Sequence, residues 1–215
     1  MPQAAREPSA RSEATRASIL LHGERLFATN GFDKTRLEDI AEAVGIKRAS
    51  IVYYYRDKAE VYDAVLAEVF GGFREKLEVA FNSDGSLRER IEAAIAAWVD
   101  YIGQRPTFAR IILREMANGA GQASSPVARH ILPFVSLVQN FMDENADHMD
   151  ELRSIDPSHV AATIAGATIF FVAGLPVLVG TDAFDPLSVD HMTAHRTEVL
   201  RIARKLLDTN ADGDS

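Results

Sequence analysis

The chain has no cysteine among its 215 residues. That excludes a disulfide framework and any thiolate metal site, and it fits a reducing cytoplasm. There is no Gly-rich phosphate loop, no G-x-S-x-G and no cluster of metal-binding side chains, so no enzyme class is indicated and no cofactor is expected. The opening residues MPQAAREPSARSEAT lack an apolar run, so no signal peptide is expected. Internal repeats and strand-like alternation are also missing. What is present is a balanced soluble composition, 47% hydrophobic and 25% charged. The length suffices for a substantial core in one or two domains.

Net charge is -8, an unfavourable total for a nucleic-acid binder. Its distribution is uneven. Lys47, Arg48, Arg56 and Lys58 face only Asp57 between positions 47 and 58, so positive charge gathers in one short stretch. An acidic remainder weakens non-specific binding and suits a selective reader.

That basic stretch belongs to TRLEDIAEAVGIKRASIVYYYRDK, Thr35 to Lys58, the most informative part of the chain. Leu37, Ile40, Ala41 and Val44 share one helical face. Thr35 with Glu38 fits a capping box. Gly45 suits a left-handed turn. A second helix, about Arg48 to Tyr55, has Ile51, Val52 and Tyr55 for the interior. Lys47, Arg48, Ser50, Tyr53 and Tyr54 are left on an outward basic and aromatic face. A helix, a Gly turn and a helix with such a face predict a DNA-reading helix-turn-helix. Arg48 is the expected base contact, since Arg pairs bidentately with guanine.

The stretch resembles the N-terminal domain of TetR-family transcriptional regulators. The resemblance rests on Gly31-Phe32, Thr35, Asp39-Ile40-Ala41, Gly45-Ile46, Ser50-Ile51, Tyr54-Tyr55 and Lys58, and covers about residues 15–70. The sequence departs from the family pattern at Lys47, where Ser or Thr is usual, at Ala49, where Gly is common, and at Val52, where a Tyr is common. The resemblance implies that Lys47, Arg48, Tyr53 and Tyr54 meet bases or phosphates, and that Thr35 and Arg36 contact phosphate. Ser50 is placed on the DNA side. Lys58, in the first turn of the next helix, is expected beside a phosphate.

Around this motif the chain reads as all-α in two parts. A disordered tail spans residues 1–11; Arg6 and Arg11, with Arg16 beyond it, are candidate minor-groove arms, and a solvated tail is the favoured alternative. A helix-turn-helix domain covers 12–56, a connecting helix of about 35 Å runs over 57–81, and a helical bundle follows over 82–208. A tail closes the chain at 209–215. Asp57 is the expected cap of the connecting helix, Gly71-Gly72 a point where it bends, and the turn cluster Asn82 to Ser86 the domain boundary. Pro133 is expected to kink or split its helix.

One short recognition helix reads too few bases to be specific, so a homodimer is expected. Its seam is placed on the last two helical segments, at Ala162, Gly166, Phe170, Ala173, His195, Val199 and Ile202. Val160 to Gly180 carries no charge and is long enough to cross a bilayer. Its Ala, Gly and Thr content, its unflanked ends and Pro176 favour burial against another helix, so no membrane partner is expected. His191 and His195, with Asp190 or Glu198, lack a third ligand at metal spacing, and no metal is assigned. The resemblance further implies a pocket for an apolar or amphipathic effector. Trp98, Tyr101, Arg105, Phe108, Ile112, Met116, His130, Phe134, Gln139, Phe141 and Phe170 are its candidate lining. The resulting reading is a cytoplasmic repressor, released from a palindromic operator on double-stranded DNA by a small molecule. The other reading is a dimeric scaffold or membrane-tethered adaptor.

Overall fold

A computed structural model describes residues 9–117, 126–146, 157–180 and 184–208. All regular elements among them are helical. The chain divides into two compact units, Met1–Glu68 and Val69–Ser215, so the division falls within the connecting helix and not at the turn after it.

The first unit begins with α1, Ala10–Asn30, two residues earlier than the tail boundary allows. Ser9 caps it, its hydroxyl oxygen accepting from the Ser12 N–H. Arg11 and Arg16 therefore lie on a helix, and Arg6 falls outside the described residues. The Arg16 guanidinium sits 5.2 Å from the Tyr55 ring centroid, which binds it to the fold and not to an arm. The helices α2, Leu37–Val44, and α3, Arg48–Tyr54, follow, joined through Gly45 at φ 76°. A Cβ is strained there, which is why glycine occupies the turn. Ile19, Phe27, Ile40, Ile51 and Tyr55 are buried together with Val61 and Val65 of the next helix.

The expected capping box of α2 is displaced by one residue. Arg36 is the N-cap, and its backbone N–H donates to the Asp39 carboxylate at 2.8 Å. Thr35 is fully buried instead, its hydroxyl donating back to the Gly31 carbonyl at 2.8 Å. It thus ties the end of α1 to the start of α2. Thr35→Val keeps the shape and removes the donor. It is expected to lower stability by about 1–3 kcal/mol in chemical denaturation, the range for a buried acceptor left unpaired.

The helix α4, Lys58–Phe81, starts as the sequence indicates. The Asp57 carboxylate accepts from the Glu60 N–H at 2.9 Å. Gly71-Gly72 does not interrupt it. Gly72 serves packing: a Cβ there would lie 3.2 Å from the Tyr101 hydroxyl oxygen. That clearance lets Tyr101 donate to the Val69 carbonyl at 2.6 Å.

In the second unit α5 spans Leu87–Gln104, α6 Pro106–Ala117 and α7 Pro126–Glu144. A full capping box starts α5. The Ser86 hydroxyl oxygen accepts from the Glu89 N–H, and the Glu89 carboxylate accepts from the Ser86 N–H. Pro133 does not split α7. It lies on the exposed side, where water can satisfy the carbonyl its missing N–H leaves free. Next come α8, Pro157–Ile169, a π turn, Phe170–Gly174, and α9, Leu175–Val179. The wider turn directly precedes Pro176 and relieves the clash its ring makes with the preceding turn of an α-helix. Phe170 packs on Gly174, where a Cβ would come within 2.6 Å of its ring. The last helix is α10, Val189–Asp208.

Apolar clusters among the described residues hold this unit. Leu77, Ala80, Phe81, Ala94 and Phe141 join the end of α4 to α5 and α7. Val99, Ile164, Val199 and Ala203 join α5, α8 and α10.

Candidate nucleic-acid interface and effector site

The exposed face of α3 is built from Lys47, Arg48, Val52 and Tyr53. Ile51 and Tyr55 point inward, at 0% and 3% exposure, and fix the helix rotation. Burial raises the Tyr55 hydroxyl pKa, and Arg16 opposes that by favouring the ionised form. Val52, expected inside, is 47% exposed and stands next to Tyr53, 82% exposed. The Tyr53 and Tyr54 rings meet edge to face at 5.2 Å, which stiffens the pair. Tyr54 and Ser50 are half-buried at the edge of this face. An exposed aromatic of this size between cations calls for a partner.

Arg48 is not free. Its Nε lies 2.8 Å from the Glu38 carboxylate on α2. Both side chains are exposed, so the pair is weak and open to exchange for a stronger acceptor. No spacing rule within one helix reveals this pair, because it bridges the turn.

Two expected phosphate contacts are corrected. Thr35 is buried and its hydroxyl is committed to the Gly31 carbonyl. Lys58 turns back, its ammonium donating to the carbonyls of Phe32 and Asp33 at 2.7 and 3.2 Å, 4.3 Å from the Phe32 ring. It holds the α1–α2 loop. Arg36 stays exposed at the N-terminus of α2. Lys47 occupies the N-cap of α3 with extended backbone but no side-chain cap bond. Lys47→Ser is therefore expected to raise stability by about 1 kcal/mol while weakening DNA binding, a divergence read by denaturation and by titration with duplex.

In the second unit the structure gathers part of the expected effector lining. Phe73 is the hub. Its ring lies 5.1 Å from Trp98, 5.5 Å from Tyr101, 6.3 Å from Phe108 and 5.3 Å from Phe134. Phe70 adds contacts to Phe108 at 4.9 Å and His130 at 6.1 Å. Phe70 and Phe73 were readable only as core, since the period of α4 gives a face and not its neighbours. Arg105 reaches the Tyr101 hydroxyl oxygen at 3.5 Å, and Ile112 is half-buried. The Trp98 Nε1–H is buried with no hydrogen-bond partner among the described residues. Such an orphan donor costs on the order of 1–3 kcal/mol.

Four candidates fall away from this group. Met116 is 67% exposed and Phe170 51% exposed. Gln139 is also exposed. Phe141 stacks on Phe81 at 3.9 Å under the Arg90 guanidinium, as core. Helical spacing fixes a face only to within a turn, and these residues lie at its margins. A groove of about 630 Å³ between α4, α5 and α10 lies elsewhere, lined by Glu75, Lys76, Asp100 and Arg196 among others.

Of the expected seam, Ala162, Gly166, Phe170 and Ile202 are exposed and Ala173 is half-buried. Val199 is corrected to core, at 3% exposure within the α5–α8–α10 cluster. His195 faces its own chain, stacked on Phe171 at 4.0 Å with Nε2 3.3 Å from the Thr168 hydroxyl. Burial lowers its pKa. His191 lies against Phe184, with Nδ1 2.6 Å from the Asp185 carbonyl. The two histidines thus have separate neighbours. Val177, Leu178 and Val179 add to an apolar surface, at 81%, 72% and 48% exposure. The segment His159–Val179 is long and apolar enough to cross a membrane by length and composition, and only 22% of its most apolar window is buried within the protomer.

A short helix rotated by Ile51 and Tyr55 to present Arg48 and Tyr53, behind a left-handed glycine turn, is the reading head of a helix-turn-helix DNA-binding protein. Residues 19–65 match the family described as bacterial regulatory proteins, tetR family. The HTH-type transcriptional regulator RutR of Escherichia coli K12 is 27% identical over 163 residues, 72% of each chain. The fold is shared with the ketosteroid transcriptional regulator KstR2 of Mycobacterium tuberculosis, at TM-score 0.67 and 17% identity, covering 95% of this chain and 97% of that one. It is shared also with FadR of Bacillus subtilis, solved with stearoyl-CoA, at TM-score 0.62 and 17% identity, covering 90% and 98%. Residues 19–65 thus carry the pattern of the tetR-family DNA-binding domain, and the chain as a whole is similar to transcriptional regulators of that kind.

Proposed function

We propose that the protein is a homodimeric cytoplasmic repressor that binds a palindromic operator and is released by a small apolar or amphipathic effector. The observation that carries this reading is the outward face of α3, with Tyr53 82% exposed beside Lys47 and Arg48. Arg48, Lys47, Tyr53, Tyr54 and Arg36 contact DNA, with Ser50 at the edge. A seven-residue helix covers only a few base pairs. Two heads with half-sites about 34–36 Å apart double the site. The bare apolar surface of α8 and α9 supports a second copy as its cover. The aromatic group around Phe73 supports an effector site lined by Trp98, Tyr101, Arg105, Phe108, Ile112, His130 and Phe134. A ligand that fits one arrangement of the bundle shifts the population toward it, and α4, which runs through the division between the units, carries that shift to the reading head. The Bacillus subtilis relative was solved with an acyl-CoA, a precedent for an amphipathic effector on this fold.

The test is selection of bound duplexes from a random library at low salt. Enrichment of a palindrome supports the reading. Absence of enrichment, also after refolding to remove bound ligand, moves the protein toward a scaffold role.

A further inference from the structure

The orphan donor in the second unit narrows the effector's chemistry. Trp98 is the sole tryptophan of the chain. Its indole is bordered by the Phe73 and Phe108 rings and by the aliphatic cluster of Val99, Ile164 and Val199. None of these side chains has an acceptor atom. Tyr101 is the nearby polar ring, but its hydroxyl proton goes to the Val69 carbonyl and its oxygen lies within reach of Arg105. A phenylalanine would fill the same apolar space without an unpaired N–H. The Nε1–H is thus the feature that core packing does not explain.

We propose that Trp98 is a ligand-specificity residue, and that the effector is an apolar compound carrying a carbonyl or carboxylate oxygen that accepts from the Trp98 indole N–H. A hydroxyl group fits less well. It can accept, but it brings a proton of its own, to which the Phe73, Phe108, Val99, Ile164 and Val199 side chains around the indole offer no acceptor. The Arg105 guanidinium near Tyr101 favours an oxygen that carries partial or full negative charge. This inference rests on the effector site proposed above.

Because there is one tryptophan, the 15N-indole spectrum of the full-length protein contains one Nε1–H resonance, and it reports on this donor alone. The probes are acetophenone and ethylbenzene, matched in ring and length, with a carbonyl in one and a methylene in the other. The expected result is a downfield shift of the indole proton with acetophenone only, and binding about tenfold tighter than ethylbenzene, the effect of one buried hydrogen bond. Trp98→Phe is expected to abolish that preference while ethylbenzene still binds. If both compounds bind equally and perturb the aromatic group without the downfield shift, the acceptor inference fails and the effector site stands. If neither perturbs the Trp98 resonance, both fail. The wild-type shift decides the matter even if the substituted protein does not fold.

Discussion

Arg48→Ala is expected to abolish specific binding while leaving the fold intact. Arg48 is exposed, and its partner within the chain is Glu38, in a surface pair. Such a pair contributes about 0–1 kcal/mol, so losing it changes the melting temperature little. On DNA the guanidinium exchanges that carboxylate for the acceptors of a guanine edge, and one bidentate contact discriminates by about 1–3 kcal/mol. A dimer makes the contact twice, so the loss on a palindrome is on the order of 100- to 1,000-fold. Tyr53→Ala is expected to act in the same direction, since Tyr53 has no inward packing to lose. The discriminating measurement is affinity for the selected duplex against a scrambled one. Equal losses on both would make Arg48 a phosphate contact instead of a base reader.

Gly166→Arg is expected to convert a dimer into monomers. Nothing in the protomer lies within 4 Å of a Cβ at this position, so the substitution leaves the protomer unstrained. It does place two like charges, one from each copy, where two apolar α8 surfaces are proposed to meet. Unfavourable contacts of that kind cost several kcal/mol, on the order of 100- to 1,000-fold in the dimer dissociation constant. Sedimentation of the parent and substituted proteins reads this directly. A parent protein that is monomeric and partitions into detergent micelles would instead assign the apolar surface of α8 and α9 to a membrane.

Much of the fold was legible because apolar spacing dictates it. The inward residues Ile19, Phe27, Ile40 and Ile51, the turn at Gly45 and the cap at Asp57 follow from the order of residue types. Thr35 was misplaced because a threonine between two helices can cap the second or bond back to the first. The spacing to Glu38 is compatible with both. The tertiary register decides, and it leaves Asp39 to receive the Arg36 N–H. Lys58 was misplaced for a related reason: a cation in the first turn of a helix can serve a phosphate or a nearby carbonyl, and Phe32 and Asp33 lie distant in sequence. Val52 shows the limit of a seven-residue helix, where one rotation error moves a residue from core to surface. In the second unit the aromatic group around Phe73 draws on α4, α5, α6 and α7, and no single helix period encodes which faces meet. The unpartnered Trp98 donor depends on those same neighbours.

The central claim is that two reading heads engage one face of the duplex at a fixed separation. Insertion of five base pairs between the half-sites of the selected operator tests it most directly. Half a helical turn carries one half-site to the opposite side of the DNA. The account predicts that affinity collapses to that of a single half-site and stays there with ten inserted base pairs, which restore the face of the DNA but add about 34 Å to the separation. Undiminished binding at five base pairs would contradict it, because each reading head would then act alone.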